Sequence, residues 1–186
     1  DERTVVLTGF GTGNQQLRVN GLYLGLDNWI YGANGRSDGE IHAPGRTNRV
    51  SIRGRDFRFR PATGEIETLA GRSQFGLAHD DWGNRFLSWN TIPLRHEVFP
   101  DRFLSRARPP VDADVLVDTL PAADSGEVFP ATPAPLVFNN ESSGHLNALS
   151  GLSIHRGRAL GEAYDGNAFV GESLRILVHR SEEHTS

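Results

Sequence analysis

Nowhere in this chain does an apolar period of about 3.6 residues persist long enough to mark a buried helix. Short apolar segments recur instead, cut apart by Gly, Asn, Asp and Pro. Twelve read as strands: Thr4 to Phe10, Gly21 to Leu26, Trp29 to Ala33, Val50 to Arg53, Phe57 to Arg60, Glu65 to Leu69, Arg85 to Trp89, Val115 to Val117, Leu136 to Phe138, Leu152 to His155, Ala168 to Val170 and Arg175 to His179. Alternation is plain in Leu22, Leu24, Leu26 and in Phe57, Phe59. The best helix candidate, Gly144 to Leu149, is a turn or two. The fold class that follows is all-β, built from many short strands.

Two hairpins are well marked. Pro61-Ala62-Thr63-Gly64 sits between alternating runs, with Pro setting φ early and Gly supplying a positive φ late. Asp27-Asn28 does the same between Gly25-Leu26 and Trp29-Ile30-Tyr31. Related turns return at Asp80 to Asn84 and Tyr164 to Asn167, each leading into an aromatic strand. Their uneven spacing suits four-stranded propeller blades with long insertions. Residues 109–135 hold six of the ten prolines and read as an extended surface excursion: a passive loop, a lid or a partner-binding arm.

Composition removes whole classes of function. The 186 residues contain no Cys, so there is no disulfide, thiolate metal site, thiol nucleophile or C-x-x-C-H haem attachment. No apolar run reaches the about 18 residues that a membrane span needs. All 19 basic residues are Arg and the formal charge is −4, which gives no general attraction for nucleic acid. Walker A, G-x-S-x-G and H-E-x-x-H patterns do not occur, and the histidines show no paired metal spacing. Asn34 to Glu40 offers alternate oxygens that a hard cation such as Ca²⁺ accepts, but it lacks the full calcium-loop pattern, and a Gly-rich polar loop accounts for it. No metal ligand is assigned.

Both ends are unusual. The chain starts at Asp1 without Met or a signal peptide and reads as a cut piece, so localisation is not visible in it. Arg180 to Ser186 reads as a translated sequencing-library adapter, and residues 181–186, His184 included, are set aside as artefactual.

Taken in order, several segments resemble one family. Asn20 to Gly35, Gly54 to Glu65, Gln74-Phe75-Gly76 with Asp80 to Asn84, Tyr164 to Val170, and Leu177 to Arg180 resemble motifs of the bacterial putative membrane-bound dehydrogenase family. That family's propeller is related to the soluble quinoprotein glucose/sorbosone dehydrogenases. The resemblance implies that residues 1–180 are part of a six-bladed, TolB-like β-propeller with antiparallel four-stranded blades. It implies an exported protein, periplasmic or membrane-associated, whose remainder carries a c-type haem domain as electron-transfer partner. A partial ring leaves open strand edges, and the isolated chain is expected to self-associate.

The same resemblance implies pyrroloquinoline quinone (PQQ) as cofactor, with Ca²⁺ as its companion ion, and a sugar or other alcohol as substrate. Gly71 to Ala78 resembles the relatives' cofactor-contacting segment and places Arg72 on their Arg, with Gln74 nearby; Ser73 stands where they have Asn, and their Pro is missing. Arg suits a quinone bearing carboxylates, because its planar fork bonds carboxylates bidentately or stacks on the ring. The relatives' catalytic His is absent from Arg18-Val19-Asn20-Gly21, and Asn20 can orient a group but not remove a proton. The remaining candidates for general base are His79, with Asp80 to set its tautomer, and His96. Two functions stay open: a PQQ-dependent dehydrogenase propeller, or a non-catalytic propeller that binds a carbohydrate or protein partner.

Overall fold

The structure, a computed structural model, describes residues 2–109, 113–119, 128–129 and 145–182. The chain is all-β, with four separate antiparallel sheets among the described residues. It divides into two compact units, residues 1–76 with 99–115, and residues 77–98 with 116–186.

The first unit holds seven strands: β1 (Thr8–Phe10), β2 (Asn20–Leu24), β3 (Ile30–Ala33), β4 (Gly39–His42), β5 (Val50–Ser51), β6 (Asp56–Arg60) and β7 (Glu65–Leu69). They form a three-stranded sheet ordered β1-β4-β5 and a four-stranded sheet ordered β2-β3-β6-β7. Both marked hairpins are present. Leu24 pairs with Ile30 across the Asp27-Asn28 turn, where Asn28 takes φ 61° and the Asp27 carboxylate accepts from the Trp29 N–H. Arg60 pairs with Glu65, and Gly64 closes that turn at φ 72°.

The two faces of the four-stranded sheet differ, as period-2 geometry requires. Ile30, Phe57, Phe59 and Ile66 pack with Ile41 and Ile52 to form the core between the two sheets. On the other face Arg58, buried on β6, bonds Asp27 at 2.8 Å and Glu67 at 2.6 Å, with its guanidinium carbon 4.3 Å from the Trp29 ring centroid. Burial disfavours the Arg58 charge, but hydrogen bonds to Glu67 and Tyr31 outweigh it and hold the guanidinium above its ordinary pKa. Burial pushes the Tyr31 phenol up. The pairing is what makes a cation tolerable at that depth.

The second unit also holds seven strands: β8 (Leu77–His79), β9 (Arg85–Trp89), β10 (Ile92–Glu97), β11 (Leu116–Asp118), β12 (Leu149–Ile154), β13 (Ala168–Glu172) and β14 (Leu177–Ser181). They make a four-stranded sheet ordered β11-β10-β9-β8 and a three-stranded sheet ordered β12-β13-β14. Ala78, Phe86 and Leu94 of the first pack against Leu149, Leu152, Ala168 and Val170 of the second.

Several expectations need correction. Residues 145–149 are not helical, and Leu149 opens β12. A six-residue helix, α1 (Asp101–Arg106), forms instead after Pro100, too short to show a period. Strands β4, β8 and β10 were not legible. In β10, Pro93 argues against an inner strand, yet the pairing with β9 shifts register between Ile92 and Arg95, where a missing N–H costs no regular ladder bond. The expected strand Leu136 to Phe138, most of the Pro-rich 109–135 segment, and residues 183–186 lie outside the described residues. Within that segment β11 is described, and Ser181 pairs with Ala168 as the last residue of β14.

Candidate functional site

Three loops and the start of β2 meet at one end of the β2-β3-β6-β7 sheet. They follow β3 at Asn34, precede β6 at Asp56 and follow β7 at Gly71. Asp56 is fully buried, and its carboxylate accepts the Asn34 N–H at 2.9 Å, the Ser73 N–H at 2.8 Å and the Ser73 hydroxyl at 2.6 Å. Asn34, also fully buried, donates its amide to the Ile52 carbonyl at 2.6 Å and the Arg55 carbonyl at 3.1 Å. The Gly35 N–H donates to the Ser73 carbonyl at 2.9 Å. Gly35 has φ 77°, and a Cβ there would stand 2.2 Å from the Arg18 carbonyl oxygen, so only glycine fits this crossing of backbones.

The candidate cofactor residues Arg72, Gln74 and Asn20 all lie at this end. Asn20 spends its amide on the Arg18 and Gln74 carbonyls, each at 2.9 Å. Gln74 is buried, and its Oε1 has no hydrogen-bond partner among the described residues. Arg72 is half-buried and pairs loosely with Asp38, at 3.8 Å. Asp38 has φ 52° and is fixed by the Gly54 N–H at 3.0 Å and the Asn34 amide at 3.1 Å. The Gly54 bond, more than the Asn34 amide and the Arg72 charge, holds the Asp38 carboxyl below its ordinary pKa, against the opposing effect of burial. The loop oxygens thus face donors: Asn34 Oδ1 accepts the Arg36 N–H at 2.9 Å, and Asp38 accepts the N–H groups just named. These bonds tie the 34–40 loop together as a polar turn.

The sign of the Asp38 shift fixes a pH effect. Its folded pKa lies below the unfolded one, so its stabilisation is complete above about pH 4 and is lost as pH falls through the folded value. Asp38→Asn should remove that part of the acid-side decline. The check is the urea midpoint measured from neutral to strongly acidic pH; wild-type and variant curves that run parallel would contradict it.

The base candidates sit in the second unit, on opposite faces of one sheet. Cross-strand register places His79, Arg85 and Glu97 in one row and Ala78, Phe86 and His96 in the next. Adjacent rows face opposite ways. The His96 ring stacks on Phe86, with centroids 4.6 Å apart and planes at 18°. His79 is buried, beside the Arg85–Glu97 ion pair of 2.8 Å. Asp80 does not turn back onto His79: its carboxylate accepts the Trp82 N–H at 3.0 Å, the Asn84 N–H at 2.8 Å and the Asn84 amide at 2.7 Å, and so holds its own hairpin.

With this geometry in view, one comparison places the chain. A family profile described as Domain of unknown function (DUF7133) matches residues 1–185. The chain belongs to the DUF7133 family. No curated protein and no solved structure matches it. In this DUF7133 chain, Arg36, Arg53, Arg55 and Arg72 lie on the three loops at the sheet end, against the two carboxylates Asp38 and Asp56. Four guanidinium groups against two carboxylates leave these loops with a formal excess of positive charge. The one histidine in the sequence of this DUF7133 unit is His42, on β4 of the other sheet, with Nδ1 3.3 Å from the Glu40 carbonyl oxygen. Asn34 and Asp56, which organise the whole end, were missed as functional residues. The usable signal was their place, a polar residue directly after or before an apolar strand.

Proposed function

We propose that the arginine-bearing loop end of the first unit binds a planar, carboxylate-bearing small molecule of the PQQ class. The chain is then part of a six-bladed, quinoprotein-dehydrogenase-like propeller. The observation that carries this reading is Arg72: its guanidinium is half-buried at the loop end and lies 3.8 Å from the Asp38 carboxylate, a pair too long for a hydrogen bond. Charge-assisted, bidentate bonds to a carboxylate are stronger than such a long pair. When bound, the quinone supplies the two-electron acceptor. The chain's residues position it, with Arg72 at a carboxylate. In this reading the intact protein is exported, oxidises a sugar or alcohol and passes electrons to a c-type haem domain.

A second reading, binding without turnover of a carbohydrate or protein partner, is favoured by the state of the base candidates. Asp80 is spent on its turn and His96 is stacked on Phe86. One experiment separates the two. PQQ with Ca²⁺ is titrated into the intact protein, followed by aldoses and polyols with an artificial electron acceptor. Arg72→Ala is expected to weaken PQQ binding by about tenfold or more, the worth of a hydrogen bond to a charged group. No binding of PQQ and no turnover removes the first reading.

A further inference from the structure

A second place in the first unit has quite different chemistry. A groove of about 740 Å³ runs between the N-terminal segment and the apolar face of β2, β3 and β6. Val5, Val6, Leu22, Ile30, Phe57 and Phe59 are among the residues that line it. Val5 is 65% exposed and Leu22 63%, so this is apolar surface left open to water. Its volume lies in the range of about 300–1,000 Å³ typical of small-molecule sites. Among its lining residues the one charge is Arg18, an exposed side chain anchored by a bond from Nη2 to the Thr12 carbonyl at 3.0 Å.

The lining selects the occupant. A peptide or a sugar laid along these walls would bury amides or hydroxyls with few partners, at a cost of about 1–3 kcal/mol for each unpaired group. A hydrocarbon chain has no such groups and gains about 0.8 kcal/mol for each CH₂ buried. The cationic fork of Arg18, already oriented by Thr12, matches an anion at one end of such a chain. We propose that this groove binds a free aliphatic carboxylate, with its alkyl chain along Val6, Leu22 and Phe59 and its carboxylate at Arg18. The groove lining includes none of Asn20, Arg72 and Gln74, and the proposal stands without the PQQ reading.

The test is calorimetric titration of the intact protein with decanoate, and with 1-decanol as the uncharged control. Decanoate should saturate one site per chain and bind about tenfold tighter than the alcohol. Arg18→Ala should erase that difference, leaving both ligands equal. Leu22→Asp, on an exposed side chain where folding is not at stake, should abolish binding of both. Equal affinity of decanoate and decanol for the wild type, or no saturable binding, overturns the proposal. So does sedimentation of the chain with phosphatidylglycerol vesicles while monomeric decanoate fails to bind, which would assign the face to a membrane surface. A stable dimer that loses its association in Leu22→Asp and does not bind decanoate would assign the face to a second copy, and overturns it equally.

Discussion

Asp56→Ala should lower the unfolding free energy by about 4 kcal/mol, among the largest losses that a single side chain here can cause. The carboxylate has no exposure and accepts three hydrogen bonds of 2.9 Å or less, from Asn34 and Ser73. Alanine leaves two buried N–H groups and one buried hydroxyl facing a void. Each orphaned donor costs about 1–3 kcal/mol, and the site is too closed for water to repair all three. Asp56→Asn preserves the shape but turns one acceptor into a donor that points at donors, so it should recover at most part of the loss. Ser73→Ala alone removes one donor and should cost about 1 kcal/mol. Adding Ser73→Ala to Asp56→Ala should then cost nearly nothing more, because the hydroxyl has already lost its partner. Urea unfolding of the four variants checks the set. A loss below about 1 kcal/mol for Asp56→Ala would mean that the loops hold together without it. The consequence for function is direct: Ser73 sits between Arg72 and Gln74, so releasing it should degrade ligand binding at Arg72 along with stability.

How far this could be read beforehand varied with the kind of signal. The hairpins at Asp27-Asn28 and Pro61 to Gly64 were legible because turn chemistry is local: a positive φ at Asn28 or Gly64 needs no knowledge of distant residues. Strand β4 was not, since Gly39-Glu40-Ile41-His42 offers one apolar residue; it becomes a strand because Ile41 fills the core between two sheets. Strand β10 was hidden by Pro93, whose bulge exists only through pairing with β9. At the candidate site, Arg72, Gln74 and Asn20 were picked out by resemblance, and they do lie at one end of one sheet. The roles of Asn34 and Asp56 come from tertiary hydrogen bonds spanning 17 to 22 residues, which leave no mark in local pattern. His79 and His96 looked equivalent in sequence. Their separation by an odd number of register rows, which puts them on opposite faces, required the pairing of β9 with β10.

Phe57→Ala should cost the first unit about 4 kcal/mol, for a reason that is purely steric and apolar. Phe57 has no exposure, packs with Ile41 and Ile52, and has the Phe10 and Phe59 ring centroids at 5.7 and 6.2 Å. Its ring also lies over Gly32 on the neighbouring strand: a Cβ at Gly32 would stand 2.5 Å from the Phe57 Cζ. Gly32 has an ordinary backbone, so what it supplies is room. Gly32→Ala should therefore destabilise by about 1–3 kcal/mol through overpacking, since the ring is enclosed and cannot step aside. If that is the cause, shortening the ring must relieve it. Gly32→Ala combined with Phe57→Leu should be more stable than the sum of the two single changes predicts, with a coupling of about 1 kcal/mol or more. Strict additivity would show that Gly32 is needed for backbone freedom and not for the ring. Because the core of the second unit draws on none of these residues, amide exchange in Phe57→Ala should speed up through β1 to β7 first. Equal acceleration in β8 to β14 would show that the two units unfold as one cooperative block.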